Sequence, residues 1–242
     1  MKNISSRYSK IKEKLNQKEI VILDGGVGTE LQKRGIEMDE SWCGTASRNT
    51  EILKEVHLDY IKAGAQVITT NTYASSRLLL DAAGFGKDFE EINLKAINCA
   101  KAARDEVDDN ILIAGSLSHR YPIANGDLQS NATIQFEQSI LQEATDEMAE
   151  FLSNNGCDLL LLEMMYHPDR IQTVFDSAKK TKKPVWAGFS TRKSKSGEIL
   201  SLTDSVDVSF KEMIKILKDY EIDAVGIMHT DIAIVSESIE IV

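Results

Sequence analysis

Two acids stand where short apolar runs give out. Asp24 follows Ile20-Val21-Ile22-Leu23 and precedes Gly25-Gly26-Val27-Gly28, and Glu163 follows the apolar end of 158–162. An acid at the C-terminal end of a parallel strand is where α/β enzymes keep their working groups. Glycines directly behind it let the chain turn and let a ligand approach main-chain N–H groups closely. The other apolar runs end on Thr69-Thr70-Asn71-Thr72-Tyr73, on Ser116 and Ser118, on Ser190-Thr191 and on His229-Thr230. Two carboxylates with glycine-exposed amides suit the amino and carboxylate ends of an amino acid. Asp24 and Glu163 are therefore the candidate catalytic pair. Gly25, Gly26, Thr70, Asn71, Tyr73, Ser116 and Glu163 itself are candidate substrate contacts. Trp42, on the long loop after the first strand, is positioned to cover a ligand.

These residues need elements to hold them. Tyr8, Ile11 and Leu15 have helical spacing and predict a leading amphipathic helix over 5–18. Strands are predicted at 20–23, 66–70, 111–115, 158–162, 184–189 and 224–228. Helices alternate with them at 50–63, 90–107, 133–154, 168–181 and 209–220. Gly64 is a C-cap candidate, Pro168 suits a helix start, and Asn131 or Thr133 is the expected N-cap of the third of these helices. Near-continuous apolar strands alternating with helices specify a parallel sheet covered by helices. The spacing suits a (β/α)8 TIM-barrel type of α/β fold, with an open doubly wound sheet as the alternative. About six of the eight β/α units are legible, in one domain over 1–242 that lacks the last two strands.

Composition narrows the function classes. A net charge of −10 argues against nucleic acid as a partner, because phosphate binding wants a basic face. The sequence contains no apolar run of about 18 residues, so no membrane span is expected. The N-terminus is polar and Lys-rich, unlike a signal peptide. Three widely spaced cysteines, Cys43, Cys99 and Cys157, fit a reducing compartment and lack short metal-ligand spacing. The expected location is cytoplasmic.

The chain resembles the homocysteine S-methyltransferase family, which includes the betaine- and S-methylmethionine-dependent enzymes and the homocysteine domain of methionine synthase. The resemblance is carried by Asp24-Gly25-Gly26-Val27-Gly28-Thr29-Glu30-Leu31, by 55–65, by 68–75, by Ala114-Gly115-Ser116-Leu117 and by Leu161-Leu162-Glu163. It implies a barrel that moves a methyl group from a sulfonium or quaternary ammonium donor to the sulfur of homocysteine, giving methionine. It also implies zinc, held by three cysteines. By the same resemblance Glu163 meets the substrate amino group, the Gly25-Gly26 backbone lies against the substrate beside Asp24, and Tyr73 and Trp42 line the donor side. Aromatic faces there would attract an onium donor.

The metal side departs from the family. Its Gly-x-Asn-Cys motif reads Gly226-Ile227-Met228-His229 here, and no Gly-Gly-Cys-Cys pair follows. His229 is the remaining candidate metal ligand, whereas a catalytic zinc usually has three protein ligands. One reading is a homocysteine methyltransferase whose site is completed from elsewhere, by a homo-oligomer or by a partner supplying the missing barrel segment. A second is a metal-free barrel, catalytically impaired, that binds an amino acid or serves as a partner subunit. A third is another barrel enzyme using Asp24 and Glu163 as acid and base with His229.

Overall fold

The computed structural model describes residues 5–122, 136–203 and 206–242. Its centre is a curled, all-parallel sheet of five strands, a half-barrel. In order across the sheet these are β1 (Val67–Thr69), β2 (Leu112–Leu117), β3 (Leu159–Met165), β4 (Val185–Phe189) and, at the far edge, β7 (Ala224–Ile227). Between the last two, β5 (Thr191–Lys193) and β6 (Ile199–Ser201) form an antiparallel hairpin that the sequence reading missed.

Side-chain alternation divides the sheet into two faces. Ile68, Ile113, Leu160, Leu162, Ala187 and Phe189 point outward into the main core. There they meet α3 (Thr50–Lys62), α5 (Phe89–Val107), α6 (Gln138–Asn154) and α7 (Pro168–Lys180). Val67, Leu112, Ala114, Leu159, Leu161 and Trp186 point inward and form a second core. This inner core is closed by α1 (Ser6–Asn16), whose Tyr8 and Ile11 fill the N-terminal mouth of the half-barrel. Tyr8 Oη accepts a hydrogen bond from Trp186 Nε1 at 3.1 Å, and the N-cap Ser5 donates to Asp158 Oδ1 at 2.8 Å. The leading helix is thus a plug, and the opposite mouth is left for the polar strand ends.

Most of the expected elements form within a few residues of their predicted bounds, and two expectations need correction. The first predicted strand, 20–23, is not a strand. Only Leu23 bridges to Val67, and Ile20 is 85% exposed. The segment flanks β1 through Val67 N–H donating to Ile22 O and Asp24 N–H donating to Val67 O, but nothing among the described residues packs its far side. The helix expected at 209–220 is one α-turn, α8 (Phe210–Met213), followed by a 3-10 segment at Ile214–Asp219. Leu94 of α5 is 40% exposed, because α5 turns its Ile92, Ala96, Ile97 and Ala100 face inward. The Asn131 or Thr133 cap lies outside the described residues; the described helix starts after Glu137. Pro168 opens α7, and Gly64 follows α3 with φ +107°, the left-handed conformation that ends helices. Among the described residues no helix is long and apolar enough to cross a membrane.

Candidate functional site

The alternation that buries the sheet also aims the site. Counting in twos from inward Val67, Leu112, Leu159 and Ala224 places Thr69, Ser116, Glu163 and Met228 on the same inner face, at the open mouth. A cavity of about 480 Å³ opens there. It is lined by Asp24, Gly25, Gly26, Trp42, Cys43, Thr69, Thr70, Asn71, Tyr73, Glu163, Met228 and His229, among others.

Each carboxyl has a distinct setting. Asp24 Oδ2 accepts the Thr69 N–H at 2.6 Å, and Oδ1 accepts the Thr69 hydroxyl at 2.8 Å. Burial nevertheless pushes Asp24 up to about 6, the Thr69 bonds opposing the rise. Glu163 is pushed up to about 7, first by burial and then by the negative field of Asp24; the Ser116 hydroxyl pulls the other way. Ser116 Oγ is buried without a partner in hydrogen-bond geometry among the described residues, and it does not line the cavity. The pair therefore holds fewer than two full negative charges near neutral pH, and an ammonium group would complete it.

The backbone at this mouth is strained. Among the described residues five non-glycine residues have positive φ, and three of them line the cavity: Trp42 (65°), Met164 (54°) and His229 (45°). Such conformations cost on the order of 1–3 kcal/mol each and gather at functional sites. At Met164 the strain coincides with a register irregularity between Leu162 and Met165, which brackets Glu163. Bulges of this kind re-aim a side chain. Met164 N–H points at Met228 Sδ, 3.1 Å away, and the Tyr73 hydroxyl at Met164 Sδ, also 3.1 Å away. Gly188 has no side chain because there is no room: an added Cβ would stand 2.7 Å from Met228 Sδ.

The loop carrying Trp42 is locked in place. Asp39 Oδ1 accepts from Ser41 N at 2.8 Å and from the Ser41 hydroxyl, while Thr45 Oγ1 bonds to Asp39 Oδ2. Asn71 Nδ2 donates to Cys43 O at 2.9 Å and to Ser47 Oγ at 3.0 Å, tying the loop to the end of β1. Thr70 bonds to Thr72 and to the backbone of β2. Both residues line the cavity, with the Thr70 hydroxyl and the Asn71 Nδ2 engaged by the protein. Trp42 meets Tyr73 edge to face, with centroids 5.9 Å apart.

Gly25 and Gly26 lie on the cavity wall with negative φ, so their role is not a left-handed turn. A Cβ on Gly25 would approach Tyr60 Oη to 2.9 Å. Sequence reasoning passed over Cys43 and Met164 as site residues. Thr69, read as part of the polar ring, lines the cavity, but nothing in the sequence announces the bulge that exposes Met164. Burial pushes the Cys43 thiol up to about 12, so it is neutral. His57 is fully buried in α3 and held neutral, its value lowered to about 4 by burial.

His229 sits exposed at the rim of the cavity. Among the described residues no three His, Cys, Asp or Glu side chains converge as a metal site. The residues present do not by themselves fit a catalytic zinc, which takes three protein ligands.

A family model described as homocysteine S-methyltransferase matches residues 21–241. The chain is 27% identical over 212 residues to a selenocysteine methyltransferase of Astragalus bisulcatus, an alignment covering 77% of this chain and 62% of that protein. It is 29% identical over 178 residues to a betaine–homocysteine S-methyltransferase 1 of Danio rerio, covering 72% and 42%. The chain thus spans less than two thirds of either of these two relatives. The crystal structure of the Escherichia coli homocysteine methyltransferase MmuM, in a metallated form, superposes with a TM-score of 0.70 at 25% identity. That match covers 88% of this chain and 76% of the other.

Proposed function

The chain belongs to the homocysteine S-methyltransferase family, and we propose that its cavity binds homocysteine and serves methyl transfer to the homocysteine sulfur. The observation that carries this reading is the Asp24–Glu163 pair on one wall of the cavity, with the sulfur-bearing and aromatic side chains of Cys43, Met164, Met228 and Trp42 also lining it. An α-ammonium is the complement of two carboxyls that burial keeps from full ionisation. Binding it would draw Glu163 back to the carboxylate, since an adjacent cation favours the charged form. The Gly25–Gly26 backbone, without side chains, leaves room for the rest of the amino acid.

In the reaction an S–C bond forms and the donor's bond to its methyl carbon breaks. The bonding pair stays on the donor heteroatom, and the thiol proton is released. The chain's own contribution is to orient: the carboxyls fix the amino end and the apolar wall excludes water from the sulfur. No step is assigned to a metal, because the described residues do not compose a site for one. His229 is the imidazole available at the rim should ligands from outside this chain complete it.

That mismatch favours one second reading, a barrel that retains the amino-acid pocket without turnover. Calorimetric titration with homocysteine, with and without added zinc, tests both, together with an assay for methylated thiol. Binding that weakens at least about tenfold in Glu163→Gln supports the pocket, a charge-assisted bond being lost. Methylated product distinguishes the enzyme from the binding protein. No binding by the native chain refutes both.

A further inference from the structure

Acids outnumber bases in this chain by 38 to 28, yet four lysines converge on one cleft away from the mouth. Lys179, Lys182 and Lys183 come from the C-terminal end of α7 and the turn after it, and Lys218 comes from the 3-10 segment at Ile214–Asp219. Together they line a cavity of about 570 Å³. Val185 opens β4 and Ile222 precedes β7, and both line it too, so the cleft lies at the N-terminal ends of the strands. Glu163 and His229 line the other cavity, at the C-terminal ends. An aromatic pair completes the lining of the cleft. Tyr220 packs edge to face on Phe175 with centroids 5.1 Å apart, and its hydroxyl donates to Asp176 Oδ1 at 2.6 Å.

Lysines in the last turn of a helix ordinarily answer its negative end, and Lys180 also finds Asp146, at 2.6 Å. That accounts for Lys179 but not for the convergence. Lys218 arrives from another segment. Lys182 holds φ +58° directly after the C-cap Thr181, where a glycine would take the same conformation without strain. The chain keeps a cation there at a cost in backbone strain. Lys179 Nζ lies 5.3 Å from the Tyr220 ring centroid, and none of the four lysines is in an ion pair among the described residues. Asp219 and Glu221 also line the cleft, so four cations face two acids. An ammonium is a compact, mobile point charge with three donors, and several of them suit charges spread along linked phosphates better than the planar fork of a carboxylate. The carbonyl end of α7 opposes any anion, so a single charge gains little here and a multiply charged one gains more. A cavity of this size also has room for an organic group beside the aromatic pair. We propose that this cleft is a binding site for a polyphosphate, bare or carried by a nucleoside. The inference is independent of how the mouth is read.

Calorimetric titration with tripolyphosphate, orthophosphate, adenosine triphosphate and adenosine, each without added metal ion, is the test. Tripolyphosphate and adenosine triphosphate are expected to bind at least about tenfold more tightly than orthophosphate, with affinity falling as salt rises. Where the nucleotide binds more tightly than tripolyphosphate, the ligand is a nucleoside polyphosphate; where it does not, the ligand is the bare chain. The double variant Lys182→Gln, Lys218→Gln should lose at least about tenfold in affinity for both, two charge-assisted contacts being removed. The double variant Lys195→Gln, Lys211→Gln removes the same charge from outside the cleft and should change affinity by less than about twofold. All four of these lysines are exposed, so both variants should fold, and urea melts check that they do. No binding of either polyphosphate overturns the proposal, and so does orthophosphate binding as tightly as tripolyphosphate. Affinity that survives Lys182→Gln, Lys218→Gln also overturns it. Equal loss in the two double variants does the same, as the mark of unspecific attraction to positive charge. Adenosine binding as tightly as adenosine triphosphate would place the affinity in the aromatic pair and refute the role given to the lysines.

Discussion

Glu163→Gln should change the pH dependence of folding stability in a way that isolates this one carboxyl. In the native fold its value rises from the ordinary 4.5 to about 7. The folded chain therefore holds a proton that the unfolded chain has released between those values. Stability from this group is fully present below about pH 4.5 and is lost as pH rises toward 7. At about 1.4 kcal/mol for each tenfold change in proton affinity, the loss is about 3 kcal/mol as an upper bound. Sharing of the field with Asp24, which is raised for the same reason, brings the expectation nearer 2 kcal/mol. The raw profile of the native chain cannot show this. His57 and His119 are held near 4 and 3 by burial, so they lower stability as pH falls below 6.5, the opposite slope. The difference between native chain and variant cancels them. Urea melts of both at pH 4.5, 5.5, 6.5 and 8 give that difference, the amide of the variant being neutral throughout. The variant should gain on the native chain by about 2 kcal/mol between pH 4.5 and 8, most steeply between 5.5 and 7. A difference that stays flat within about 0.5 kcal/mol, or slopes the other way, refutes a buried, raised Glu163.

Two further outcomes follow from the packing of the mouth. Gly188→Ala places a Cβ 2.7 Å from Met228 Sδ and should destabilise by about 1–2 kcal/mol in urea melts. Adding Met228→Ala should recover most of that loss, and simple additivity of the two changes would show that they do not touch. The thiols of Cys43, Cys99 and Cys157 are all buried and pushed up to between about 11 and 12, so an aromatic disulfide reagent should label none of them rapidly at pH 7 before unfolding. Fast labelling of Cys43 in the native chain would mean that the cavity wall is open there.

Much of the site was legible because one rule served both core and chemistry. In a parallel sheet the residue that buries inward and the residue two positions on share a face. Leu161 is buried in the inner core, so Glu163 must look into the same space, and Val67 carries Thr69 with it. The apolar runs that announced the strands therefore also aimed the polar residues at their ends. The edges were less legible. The run 20–23 has the composition of a buried strand, yet burial needs a neighbour on each side, and one side of Ile20 is bare among the described residues. The hairpin β5–β6 is polar and short, without the alternation that reveals a strand.

What sequence could not deliver was the competition between side chains for the same space. Trp42 and Tyr73 are aromatic residues near a donor pocket, and composition alone assigns them to a cation. Forty-seven residues after Tyr73, Arg120 comes off a different strand and lies against both rings from outside the cavity lining. Asn71 and Thr70 read as substrate contacts by type, yet the Asn71 Nδ2 and the Thr70 hydroxyl are engaged in holding the Trp42 loop and β2. A polar residue at a strand end is free for a ligand only if no loop has claimed it. Glu163 meets that condition more nearly than any of these, because the bulge at Met164 separates it from the regular ladder and no protein cation pairs with it among the described residues. The chemistry of this mouth is therefore best sought at Glu163, rather than in the ring of hydroxyls around it.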